Sequence, residues 1–260
     1  MKKLIIRAVI ALLVLIILVV LGIGFFLDSA VKRGVETVGP MVGKVPVKLD
    51  SVNLSLLSGA GKVKGLVIGN PEGFKAPSAI QVGNATLALQ PGSVFSDKVI
   101  IKTINVHEPE ITFETDLKGN NLSKIVANLQ GASGETARTK PGETPASKTA
   151  KTGKKLQVDD FLISGGKIHV SVTALGGQSA TVPLPEIHLT DLGKGPDGIT
   201  AAELAQRVLQ EIEKEAVKAS SGAVADLSKQ AAGLTKGLSN TATGATETLT
   251  KSLGGLLKKK

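Results

Sequence analysis

Three histidines, His107, His169 and His188, and the carboxylates Glu108 and Glu110 are the side chains best suited to chemistry. An imidazole changes charge near neutral pH and ligates metals through either ring nitrogen. Two carboxylates on one side of an extended strand can divide acid and base work, provided a cleft shifts the pKa of one. The surroundings argue against both uses. No histidine has a second histidine or a carboxylate at a distinctive metal-ligand interval. His107 and His169 fall in strands or turns, where a solvated imidazole is the plain reading. Glu108 and Glu110 flank Pro109 at a turn that leaves both in water. The chain has no cysteine, which excludes disulfides, thiolate metal sites and cysteine nucleophiles. Five Gly-Lys pairs occur, none followed by Ser or Thr, so there is no Walker loop; a Gly-x-Ser-x-Gly elbow is also missing. The expectation is a protein that is not an enzyme and carries no metal and no cofactor.

The elements that would hold any site come next. The net charge of +9 is unevenly placed. Residues 1–43 carry +3, residues 131–155 carry +4 and residues 199–260 carry +3, which leaves the remainder at −1. The positive charge therefore sits on the ends and a linker and suits an anionic membrane surface or solubility. With four Arg and no Trp or Tyr, the chain lacks the means to stack on or clamp nucleic acid. Ala8 to Leu27 is a run of twenty uncharged residues, long enough as a helix to cross a bilayer core of roughly 30 Å. Lys2, Lys3 and Arg7 before it favour a cytoplasmic N-terminus. A cleaved signal peptide is the competing reading, but its apolar core is usually shorter and the site near Ser29-Ala30 is poor. An uncleaved single-pass anchor in an inner membrane is expected, with the bulk of the chain on the periplasmic side.

After residues 1–27, the segment 28–43, with Gly34, Gly39 and Pro40, reads as a connector. Residues 44–130 form a first β-region that ends in a short helix. Val47 and Leu49, Val52 and Leu54, then Val63, Leu66 and Ile68 show the alternation of half-buried strands. Asn70-Pro71-Glu72-Gly73 provides turn chemistry, and an irregularity is expected near Gly83-Asn84. The period then changes: Leu122, Ile125, Val126 and Leu129 share a helix face, capped by Asn120 or Asn121. Residues 131–155 are too poor in large apolar side chains to fold and read as a flexible linker. A second β-region covers 156–198. Thr200 and Glu203 make a capping box that opens a helix over 199–218. Residues 219–260 form a basic tail, either an amphipathic helix or disordered.

Shifting the chain by 57 residues lays Ile101–Phe113 on Val158–Val170 without a gap. Ile104 falls on Phe161, Val106 on Ile163, Ile111 on Ile168 and Phe113 on Val170. Both copies read as strand, tight turn, strand, so the chain is expected to extend a sheet by repeating one hairpin.

The stretch Gly65–Glu114, with Asn70-Pro71-Glu72-Gly73-Phe74, "PGSVFSDKVIIKTINV" and Glu108-Pro109-Glu110-Ile111, resembles the opening β-region of the AsmA-like family of membrane-anchored bacterial envelope proteins. Leu156–Val172 looks like that family's recurring strand pair. The resemblance covers roughly half the chain, and none of its motifs is catalytic. It implies a mainly β fold with a few helices, in which a long antiparallel sheet curls into a groove with an apolar inner face. It also implies a role in sheltering or transferring phospholipid and in outer-membrane homeostasis. Ten strands would give a groove of roughly 50 Å, so a minimal, oligomeric or assisting member is expected. The groove candidates are Leu66, Ile68, Ile104, Val106, Ile111, Phe113, Phe161, Ile163, Ile168 and Val170. Membrane lipid is the expected partner, with other envelope proteins or a second copy open. The alternative is a membrane-anchored structural β-sandwich, like late-embryogenesis-abundant type 2 proteins, binding proteins rather than lipid. Burial of the apolar face separates the two.

Overall fold

A computed structural model describes residues 26–115, 119–135, 154–172 and 178–223, together with Ala225, Asp226 and Lys229. A helix over 26–43, α1, comes first. Then follow β1 (Val47–Leu54), β2 (Ala60–Gly69), β3 (Ser78–Leu89), a 3-10 turn (Pro91–Phe95), β4 (Lys98–His107) and β5 (Glu110–Thr115). Helix α2 (Asn121–Glu135) precedes β6 (Lys155–Ser164), β7 (Lys167–Val172), β8 (Gln178–Pro183) and β9 (Ile187–Leu192). A last helix, α3, covers 201–223. Among the described residues the fold is mainly β with three helices, and the nine strands belong to one curled, half-barrel sheet.

Two expectations about that sheet are corrected. The duplicated segments are not hairpins. β4 and β5 do not pair with each other; both run antiparallel to β3, through Asn84 opposite His107 and Gln81 opposite Glu110. They are two halves of one long bent strand. β6 and β7 form a second such strand, and β9 with β8 a third. With β1, β2 and β3, the sheet has six rungs, roughly 25 Å across, where ten strands and twice that length were expected.

Nor is the sheet wholly antiparallel. β4 pairs parallel with β6, and β5 parallel with β7. The physical reason is the connection: antiparallel neighbours are joined by tight turns, whereas parallel ones need a crossover of a dozen or more residues, commonly a helix. Here the crossover from β5 to β6 contains α2. Its ladders set Ile104 against Phe161, Val106 against Ile163, Ile111 against Ile168 and Phe113 against Val170. The offset in space is the 57-residue offset of the sequence repeat.

The curl has a local cause. Continuing each ladder by a residue or two places Asp50, Gly65, Gly83, Glu108, Gly165 and Pro185 on one line across the six rungs. At that line the buried residues change parity, from Leu49 to Val52, Val82 to Ala85, Val106 to Ile111 and Ile163 to Ile168. The ladders keep one-to-one register through this line, so no residue is inserted on any rung; each strand is kinked in place and its side chains change face together. Gly65, Glu108 and Gly165 hold positive φ there, at 63°, 48° and 68°. At Gly65 a side chain would also strike Asp50, whose Oδ2 lies 2.0 Å from where a Cβ would stand. The irregularity expected near Gly83-Asn84 appears there only as this change of face; the register shifts involving β3 fall at Ile68/Gly69 and Ala88/Leu89.

The connector expected over 28–43 is instead most of α1. Its glycines and Pro40 suggest a loop, yet three side chains at helical spacing dock it along β1. Asp28 Oδ1 accepts the Leu54 N–H at 2.8 Å, Lys32 Nζ donates to the Leu49 and Asp50 carbonyls, and Glu36 Oε1 accepts the Leu49 N–H at 3.0 Å. Gly39 admits Val47, whose Cγ2 would be 3.0 Å from a Cβ there. β1 pairs only with β2, so these contacts cover an otherwise open sheet edge. The 131–155 linker also starts later than expected, since α2 continues through Glu135, and the helix expected to end at 218 is still helical at 223 and at 225, 226 and 229. Among the described residues no helix is long and apolar enough to cross a membrane. Apart from Phe26 and Leu27, the anchor expected at Ala8–Leu27 lies outside the described residues, as do most of the linker and most of the tail.

Candidate functional site

The proposed groove is the inner face of the sheet. All ten residues expected to line it belong to one apolar cluster or pack against it. Ile111, Ile168 and Val170 are wholly buried, and Val106, Phe113, Phe161 and Ile163 nearly so. Leu66, Ile68 and Ile104 are half-buried. The same cluster contains Leu122, Ile125, Val126 and Leu129 of α2 and Leu209, Ile212 and Ala216 of α3. The chain's own helices thus occupy the inner face where the duplicated strands meet.

Each helix is fixed by polar contacts at its start. Asn120 caps α2, its Oδ1 accepting the Ser123 N–H at 2.8 Å. The next residue, Asn121, is fully buried and binds inward: its Oδ1 accepts the Glu114 N–H, and its Nδ2 donates to the Thr112 carbonyl and to Asn70 Oδ1. Glu114, only 3% exposed, accepts the backbone N–H groups of Lys75 and Ala76 at 2.9 Å. Asn70 Nδ2 closes the loop onto the Ala76 carbonyl at 2.8 Å. The Asn70–Phe74 turn is thereby tied to the end of β5 and the start of α2, a buried polar network whose members satisfy one another. Thr200 and Glu203 form the expected capping box on α3: Thr200 N–H donates to Glu203 Oε2 at 2.7 Å, and Glu203 N–H to Thr200 Oγ1 at 3.1 Å. The Thr200 N–H holds the Glu203 carboxyl below its ordinary pKa. Ser123 Oγ contacts Glu213 Oε1, joining α2 to α3.

The histidines and Glu110 lie on or near the outer face. His169 Nδ1 is 3.0 Å from Thr181 Oγ1, and its Nε2 is 3.8 Å from Glu110 Oε2. His188 contacts Asp160 on the neighbouring strand. His107 and Glu108 are exposed at the bend line. These are cross-strand pairs in water, and the structure does not bring the three histidines together. Among the described residues no group of three or more His, Asp or Glu is placed to hold a metal ion. Asp159 lies below its ordinary pKa because Gln157 donates to it and Lys102 pairs with it. Two shallow depressions are lined largely by polar residues: one by Ser51, Asn53, Lys62, Lys64 and Thr86, the other by Glu72, Phe74, Asn120 and Lys124.

Sequence reasoning missed two features. One is the Asn70–Glu114–Asn121 network, signalled only by a glutamate beside the buried Phe113. The other is the charged face of α1, where Asp28, Lys32 and Glu36 recur every four residues. In comparisons with family models, curated proteins and solved structures, nothing matches the chain.

Proposed function

We propose that the protein is a short, membrane-anchored, AsmA-like member of the bacterial cell envelope that shelters or helps transfer phospholipid and has no catalytic role. The observation that carries this reading is the continuous apolar inner face built by duplication. Two copies of one bent strand lie side by side in parallel, so that Ile104, Val106, Ile111 and Phe113 abut Phe161, Ile163, Ile168 and Val170. Such a face, about as long as an acyl chain and bent into a trough, suits hydrocarbon and offers no group for chemistry. In the form described, α2 and α3 lie in the trough, so lipid enters by displacing a helix. Because α3 follows the sheet in the chain, the capping box at Thr200 is a natural pivot for that movement.

A second reading is favoured by the burial itself. With most of the face already covered by helices, the trough is a permanent core, and the protein is an envelope-tethered structural module that binds proteins. Photo-crosslinking decides between them. In the full-length chain, in cells, benzoylphenylalanine replaces Phe113 or Phe161, and the products are analysed by mass spectrometry. Phospholipid adducts are expected. Crosslinks confined to α2 and α3 of the same chain would establish the core and replace lipid handling with the structural module.

A further inference from the structure

Among the described residues, three of the most exposed large apolar side chains are gathered at one end of the sheet: Phe26 at 76%, Leu57 at 80% and Phe95 at 74%. Leu57 is in the β1–β2 turn, whose Gly59 carbonyl accepts the Leu89 N–H at 2.6 Å. Gly59 also faces Pro91, the start of the 3-10 turn that ends in Phe95. Phe26 lies in α1 two residues before Asp28, whose carboxylate takes the N–H of Leu54, the last residue of β1. The apolar run Ala8–Leu27 therefore joins the folded body at this end. The opposite end presents the Asn70–Phe74 turn and, among the described residues, a single comparably exposed apolar side chain, Met41 at 72%, at the close of α1. Lys154 contacts the Val94 carbonyl, and Lys98 adjoins Asp97, so the charge beside Phe95 does not oppose an anionic surface.

We propose that this end of the sheet docks on the bilayer that the N-terminal run enters, with Leu57 and Phe95 inserted among the lipid headgroups and upper acyl chains. Side chains this exposed at adjacent loop tips gain nothing from the fold's own packing, whereas a water–hydrocarbon boundary removes their apolar surface from water and stabilises them. Docking also fixes the orientation of the trough: its rungs stand end-on to the membrane instead of lying along it. The proposal rests on the membrane-anchor reading, and its test separates the two.

The chain contains no cysteine, so single Leu57→Cys, Phe95→Cys and Glu72→Cys variants each accept one environment-sensitive fluorophore. Glu72 is exposed in the far turn and acts as the control. The full-length protein is reconstituted into vesicles of phosphatidylethanolamine and phosphatidylglycerol, with and without lipid-borne quenchers. The expected result is blue-shifted emission at positions 57 and 95 that acyl-chain quenchers suppress, with neither effect at 72. If the protein floats with the vesicles but all three labels report water, end-on docking is overturned and the anchor stands. Blue-shifted emission at 57 and 95 that lipid quenchers leave unchanged overturns it in favour of a protein contact. Failure to float with vesicles overturns docking and the anchor together.

Discussion

Glu114 illustrates how one side chain organises several segments. By alternation it faces the side opposite Phe113, where a carboxylate would be solvated, yet the loop between β2 and β3 closes over it and supplies two backbone donors, Lys75 and Ala76. Removing one partner of a buried hydrogen-bonded set costs more than the bond itself contributes, because the remaining groups stay buried and unpaired. Glu114→Ala is therefore expected to destabilise the protein by about 2–3 kcal/mol, read as a lower urea midpoint, with Glu114→Gln losing less. At Glu203 the same chemistry is exposed to pH. Its folded-state pKa is depressed by the Thr200 N–H, so its stabilising effect is complete above the unfolded-state pKa and is lost as pH falls through the folded one. Unfolding curves should then show stability declining on acidification below the ordinary carboxylate pKa, and Glu203→Gln should make that decline shallower.

Among the elements, α1 matters most for the integrity of the sheet. An edge strand with unpaired N–H and C=O groups is a template for another chain, and the side chains of Asp28, Lys32 and Glu36 occupy those groups on β1. The double variant Asp28→Ala, Glu36→Ala should speed amide exchange at Leu49 and Leu54 selectively and raise aggregation, as followed by exchange mass spectrometry and light scattering. This element was illegible from the sequence because its glycines and proline argue for a loop, and the contacts that favour the helix come from β1. The sheet's inner face was legible: alternation identified Ile104, Val106, Ile111 and Phe113, and the offset to Phe161 and Val170 is the register observed. Strand direction was misread, since alternation reports which face a residue occupies but not the sense of its neighbour. That information lay in the length and helical content of the connection between β5 and β6. The bend at Glu108 and Gly165 looked like a hairpin for a related reason: a left-handed residue serves a chain-reversing turn and a kink within a continuing strand equally well.

For the molecule as a whole, burial decides which positions can report on the trough. Ile168 is fully buried and Ile104 half-exposed. Ile168→Asp, which strands a carboxylate in the core, should cost more than about 4 kcal/mol and abolish cooperative folding. Ile104→Asp should leave a folded protein, as thermal melts monitored by circular dichroism will register, and is the suitable variant in which to look for lost lipid adducts.

The match between the parallel ladder and the 57-residue repeat has one further implication. A unit whose neighbour always lies one unit-length away carries its own alignment rule, as bricks laid in courses do. Adding a third copy would need no new pairing code, only another strand with its crossover placed ahead of β8 and β9, which close the far margin. On this plan a short trough and a long one differ by counting rather than by invention.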